Sequence, residues 1–280
     1  MPLTLEKRSR KQIKKLKPFL DKWVDRIEQP NYIDSDPVLF MHAFDDKEDQ
    51  LLAGFFAAIM AWGRRDIVIR KVQDLLDRMD HHPTEFITNF SDRDERRFEG
   101  FKHRTFKPID IKWLTKILQS ILLKWNSFEH FWEYCYEQAK EDGRPLMTIF
   151  HEQFFAQHPE APQRTHKHIS NADKKSSCKR LYLYLRWAVR KESPVDLGLM
   201  DFIPQSELMV PLDVHVARQS RVLGMLSRTY NDWWAVKELT HALRLLDPDD
   251  PAKYDYALFG LGIHPGSIPQ QLIVNPEVLD

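Results

Sequence analysis

Apolar residues recur at spacings of three and four along most of this chain and almost nowhere in strict alternation, a pattern of amphipathic helices rather than strands. Ile13, Leu16, Leu20, Trp23 and Ile27 mark one stripe, predicting a basic amphipathic helix within the first 28 residues. After the polar connection NYIDSDP, the acidic start Asp46-Lys47-Glu48-Asp49 leads into an apolar helix over 50–62, which Gly63 is placed to end or bend. A helix over about 66–80 carries Ile67, Val68, Val72, Leu75 and Leu76, and His81-His82-Pro83 breaks it. Further helices are predicted at about 84–90, 110–125, 127–141 and 145–157, followed by the loop HPEAPQRTHKHISNADKKSS. The next helix, about 178–190, buries Leu181, Leu185, Ala188 and Val189. The Pro-punctuated stretch ESPVDLGLMDFIPQSELMVP then leads to helices at 214–226, 231–246 and 251–260. With only nine glycines in 280 residues there is little of the turn chemistry a sheet protein needs, so the expected fold class is all-α.

Composition narrows the partners. A hydrophobic content of 42% is enough for one large or two small cores and argues against disorder. The formal net charge is zero, so any affinity for nucleic acid must come from local patches. KRSRKQIKKLK, GRRDIVIRK and CKRLYLYLRWAVRK are such patches, although each also reads as a solvated helix face, and acidic stretches such as DPDDP balance them. Cys135 and Cys178, far apart, exclude a disulfide framework and any four-cysteine zinc or iron–sulfur site. MPLTLEKRSR lacks the apolar core of a signal peptide and LLAGFFAAIMAW is too short to span a bilayer, so a cytoplasmic location is expected. His151, His158, His166 and His168 lie close in sequence, but HEQFF is not the HExxH zinc pattern, and neither a metal nor a cofactor is expected.

Two residues stand out chemically. Asp213 follows the extended Pro211-Leu212 step and opens the helix VHVARQSRVLGM, where it reads first as an N-cap, a role worth roughly 0.5–2 kcal/mol. Lys179, with Cys178 and Arg180, opens the earlier helix, at the positive end where a cation is disfavoured and lysines become candidates for nucleophilic chemistry. Leu183 and Trp187, four and eight residues on, would place an apolar and aromatic ridge beside the amine. Taken alone, Lys179 also reads as an ordinary solvated lysine.

A lysine opening one helix and an aspartate opening the next, in a VDVHV-like context, resembles the helix-hairpin-helix DNA glycosylase superfamily, including endonuclease III and the 8-oxoguanine glycosylases. Three stretches carry the likeness: PLDVHVARQSRVLG (211–224), DQLLAGFFAAIMAWGRRDIVIRKVQDLL (49–76) and YDYALFGLG (254–262). The segment SSCKRLYLYLRWAVR is most similar to a bacterial family allied to the archaeal 8-oxoguanine glycosylases. The likeness covers about a third of the chain, and the usual Leu-Pro-Gly-Val-Gly hairpin is replaced by the glycine-free NADKKSS.

The resemblance implies a two-lobed helical fold, one lobe about 50–190 and the other 1–49 plus 191–280, with a flipped nucleotide held between them. It implies duplex DNA containing a damaged base or abasic site as partner, with the protein on the bacterial nucleoid when bound. Lys179 would attack the sugar C1′ and Asp213 would stabilise the cationic sugar. Phe259, Trp187, Leu183, Asp255 and His215 would form the base pocket. Arg64 and Arg65 would fill the vacated gap in the duplex, and Lys174, Lys175, Ser176, Ser177 and Arg180 would meet phosphates. The alternatives are a nucleic-acid-binding relative without catalysis and a helical protein-interaction module.

Overall fold

The computed structural model describes residues 5–279, and the chain in it is all-α. In order the helices are α1 (Arg10–Lys14), α2 (Lys17–Ile27), α3 (Leu39–His42), α4 (Lys47–Met60), α5 (Arg65–Arg78), α6 (Pro83–Thr88), α7 (Pro108–Trp125), α8 (Phe128–Asp142), α9 (Leu146–Ala156), α10 (Gln163–His166), α11 (Lys179–Val189), α12 (Val214–Val222), α13 (Trp233–Arg244) and α14 (Tyr254–Ile263). Short 3₁₀ turns fill several connections, among them Pro30–Ser35 and Asp94–Phe98. Among the described residues there is no sheet, only isolated bridges between His103 and Phe106 and between Ser176 and Asp232.

Most boundaries lie within a few residues of the sequence expectation because capping is local. Asp46 accepts a bond from the Asp49 N–H to start α4, Ser127 does the same for α8 through His130, and Asp232 for α13 through Ala235. Asn126 and Gly143, both left-handed, end α7 and α8. Three expectations need correction. The first helix is split at Lys15-Leu16, because Pro18 has no N–H to give and its ring restricts the residue before it. NYIDSDP and the residues after it contain a 3₁₀ turn and α3 rather than a plain connection. The long loop before α11 contains α10, pinned by Asp110 of α7, which accepts from the Arg164 guanidinium (2.7 and 3.0 Å) and the Thr165 hydroxyl (3.0 Å).

Packing explains which helix faces are buried. α4, with ten consecutive buried residues from Leu51 to Met60, is surrounded by α3, α5, α6, α8 and α11. α14 lies between α2 and α12, so that the beginning and end of the chain share one packing group. Gly260 permits the closest approach of α2, since a Cβ there would stand 2.4 Å from Ile27 Cγ1. α11 is buried from Leu181 to Val189 and not along one stripe, because α4 packs against it and its Arg186 reaches Asp255 of α14. The first turn of α11, Lys179-Arg180, stays half-buried and borders the cleft described next.

Candidate functional site

A cleft of about 860 Å³ opens between the N-terminal ends of α5, α11 and α12 and the length of α14. Its walls bring together Lys179, Leu183, Asp213, His215, Asp255, Phe259, Arg65 and Arg180, residues from four elements that lie far apart along the chain. The size falls in the range of small-molecule pockets.

Asp213 is the N-cap of α12: its backbone is extended and Oδ1 accepts from the Val216 N–H at 2.8 Å. The second carboxylate oxygen is not used in the cap, and the residue lines the cleft. Lys179 is the first residue of α11, half-buried, facing the same space. The turn that delivers it, Ala172–Cys178, contains no glycine, yet Lys175 (φ 61°) and Cys178 (φ 50°) both occupy the left-handed region where glycine is usual. Ser176 braces this turn, its Oγ accepting from the Cys178 N–H at 3.2 Å and its backbone bridging to Asp232.

Asp255, in the first turn of α14, is buried and paired with the Arg186 guanidinium. Burial pushes its carboxyl up, to about 7, against the pull of Arg186, with the carboxylate of Asp213 pushing the same way and Lys179 opposing it. Arg186 also lies 3.4 Å from Asp196 and stacks 4.0 Å over the Tyr256 ring. Asp196 in turn accepts from the Tyr256 hydroxyl (2.7 Å) and pairs with Arg190, which reaches Glu28 (2.6 Å) and Asp250 (2.9 Å). The cleft floor is therefore a buried ionic network tying α11 to α14 and α2. Removing one member of such a network leaves another charge buried and unpaired, so a single substitution in it is expected to be strongly destabilising.

Phe259 and His215 meet edge to face at 5.7 Å, and Phe259 is covered on one side by the Arg65 guanidinium at 4.5 Å. Arg65 is itself held by the Tyr32 hydroxyl (2.6 Å) and Asp36 (2.9 Å). At the mouth, the chain turns between α4 and α5 at Gly63, whose φ of 113° and tight contact with the Arg104 guanidinium suit only glycine. Arg104 donates to the Trp62 carbonyl (3.2 Å) and lies 5.6 Å over the Trp62 ring, leaving the indole 49% exposed at the rim.

Several residues expected at the site stand elsewhere or are engaged within the fold. Trp187 is wholly buried and does not line the cleft. At about 100° per residue, position i+8 from Lys179 has rotated about 80° past it, whereas i+7 returns to within about 20°, and that position is Arg186. Arg180 lines the cleft wall, but its guanidinium donates to the Ile59 carbonyl at the end of α4, and burial lowers it to about 10; it is a brace between α11 and α4 and not a free cation for phosphate. Arg65 works inside the fold as described, so of the arginine pair only Arg64 projects freely, forming an exposed pair with Asp66 (2.9 Å). Lys174, Lys175, Ser176 and Ser177 lie on the turn outside this cleft, the two lysines exposed.

The four histidines of the loop region have internal partners or packing. His151 bonds the Ile169 carbonyl (2.7 Å), His158 bonds Ser120 and Glu160, His166 stacks on Phe155 at 3.7 Å and His168 stacks on Phe106 at 3.7 Å beside Asp110. Burial alone would raise Asp110, but bonds from His168, Arg164 and the Lys107 N–H hold its carboxyl well below the usual range. No group of side chains suited to hold a metal ion occurs among the described residues.

Sequence reasoning missed Tyr32, Asp36, Trp62 and Arg186. Heptad-like counting from Lys179 would have found Arg186, and Trp62 is legible as the aromatic that ends an apolar run beside Gly63. Tyr32 and Asp36 sit in a polar connection that offers no local signal.

No curated protein and no solved structure matches the chain. A family model matches residues 36–264, a span that contains every residue lining the cleft except Tyr32. The chain thus belongs to the family described as a protein of unknown function, DUF2400.

Proposed function

We propose that the cleft removes a damaged purine base from duplex DNA through covalent attack by Lys179. The observation that carries this reading is the convergence of an amine, two carboxyls and an aromatic ring, from Lys179, Asp213, Asp255 and Phe259, on one cleft although they are spread over 80 residues of sequence. The likeness to helix-hairpin-helix glycosylases rests on the same residues.

The chemistry follows from the groups present. The Lys179 amine forms a bond to the sugar C1′ as the bond from C1′ to the base nitrogen breaks, and the base leaves with that electron pair and takes up a proton. The carboxylate of Asp213, on the side not used for capping, offsets the positive charge that develops on the sugar. Loss of the amine proton and opening of the ring bond from C1′ to its oxygen give a Schiff base, from which strand cleavage by elimination can follow. Unstacking a base costs a few kcal/mol, and Phe259 offers a face on which the extruded base regains stacking. Asp255 gives one carboxylate oxygen to Arg186 and keeps the other, which can accept from that base. Trp62 and Arg64 at the rim are the groups available to occupy the gap left in the duplex.

The test is borohydride trapping of the full chain on duplexes carrying an abasic site or one of a panel of damaged purines. A covalent complex is expected with wild type and not with Lys179→Ala, which keeps most of its affinity for DNA. Trapping undiminished in Lys179→Ala places the nucleophile elsewhere, and no trapping by wild type on any substrate overturns the proposal in favour of a binding protein.

A further inference from the structure

A second cavity, of about 730 Å³, shares no lining residue with the first. It lies where the end of α8, the start of α9, the turn before α11, the Ile203–Met209 connection and the first turns of α13 meet. Three features point to one kind of ligand. The wall is aromatic: Tyr182 and Trp233 are near-parallel, 11° apart with centroids at 5.9 Å, and Trp234 beside them is 54% exposed. The rim is basic: Lys140, Lys175 and Lys237 are exposed, and among the described residues none is ion-paired, whereas Arg144 is paired with Glu152 and Asp173. The inner surface also holds polar groups with capacity to spare. Tyr182 is only 4% exposed and lines the cavity, and its hydroxyl has no hydrogen-bond partner among the described residues. Glu207 uses one carboxylate oxygen to accept from the Tyr136 hydroxyl at 2.9 Å and keeps the other.

We propose that this cavity is a nucleotide-binding site, with the base against the Tyr182, Trp233 and Trp234 aromatics and the phosphate among Lys140, Lys175 and Lys237. A flat apolar wall with cations at its edge matches a planar base joined to an anion, because stacking is sequence-tolerant and the phosphate supplies the charge. The free oxygen of Glu207 accepts from a base bearing an amino group, so a guanine, adenine or cytosine nucleotide is favoured over a thymine one. The nucleotide is either free or a unit of a single strand. The site stands apart from the Lys179 chemistry, since no residue of the first cleft enters it.

Isothermal titration calorimetry of the full chain with guanosine monophosphate tests this, with tripolyphosphate as the anion lacking a base and a short single-stranded oligonucleotide as the second source. Guanosine monophosphate is expected to bind and tripolyphosphate to bind at least about tenfold more weakly. Lys140→Ala with Lys237→Ala, both at exposed positions that leave the core untouched, is expected to weaken binding at least about tenfold, while Phe259→Ala in the first cleft leaves it unchanged. Competition by the oligonucleotide identifies the strand as the source, and its absence identifies the free nucleotide; both uphold the site. Binding of tripolyphosphate as tight as that of guanosine monophosphate, no heat with the nucleotide, or equal affinity in the double-lysine variant overturns it.

Discussion

Replacing Asp213 by Asn separates its two roles, because capping needs an acceptor oxygen and transition-state stabilisation needs a charge. The cap is a single bond, Asp213 Oδ1 to the Val216 N–H at 2.8 Å, and an amide oxygen accepts it about as well, so the change costs a few tenths of a kcal/mol. Asp213→Ala removes the acceptor and costs about 1 kcal/mol. Unfolding entropy near 2.1 cal/mol/K per residue makes 1 kcal/mol worth about 2 °C in Tm for a chain of this size. Asp213→Asn should therefore melt within about 1 °C of wild type and Asp213→Ala about 2 °C lower. Catalysis should respond differently. Losing the carboxylate beside a developing oxocarbenium is expected to slow base excision at least about 100-fold in both variants, equivalent to about 2.7 kcal/mol. The assay is a single-turnover time course on duplex containing the damaged purine that wild type excises, run beside thermal melts of the three proteins. An Asn variant that excises at the wild-type rate would leave Asp213 as a cap alone and refute the electrostatic role.

The arginine pair should split, since Arg64 is exposed and Arg65 is built into the fold. Arg64→Ala is expected to weaken binding to duplex more than to single strand with unchanged Tm, while Arg65→Ala strands the buried Asp36 and lowers stability by about 2–4 kcal/mol; equal melting of the two variants contradicts this assignment. Gly262→Ala would put a Cβ 2.6 Å from His215 Cβ, pressing α14 against the helix that Asp213 caps, and is expected to cost about 1–3 kcal/mol and to slow excision; a variant with wild-type melting and rate would show that the contact yields freely. Asp255 is raised from about 3.9 in an unfolded chain to about 7 in the fold, so its favourable contribution is complete below about pH 4 and is lost as pH rises through about 7. Asp255→Asn, which does not titrate there, should gain on wild type in Tm between about pH 4 and 8, and a difference that stays flat over that range excludes a raised carboxyl.

The helices and their starting points were legible in the sequence because their determinants are local. The three-and-four spacing of apolar residues, Asp46 and Asp213 at helix starts, and Gly63 as a bend all act within one or two turns of the residues they affect. Even so, Pro18 overrode the unbroken stripe of the first helix, since a missing N–H and a ring clash are not visible to periodicity. Lys179, Leu183, Asp213, Asp255 and Phe259 could be proposed as a set from their motifs, and the fold places all five on one cleft.

Tertiary structure decided which way the charged side chains turned. Nothing local distinguishes Arg64, left in solvent, from Arg65, drawn in by Tyr32 and Asp36 some thirty residues earlier. Arg180 and Arg186 share a helix with Lys179, yet the carbonyl end of α4 takes the first and the carboxylates of Asp196 and Asp255 take the second. Burying a guanidinium is costly unless carboxylates or carbonyls meet it, so its direction is set by where those partners fold. The same holds for Trp187: its place on the helix is local, but that both sides of α11 are covered follows only from the packing of distant helices around it.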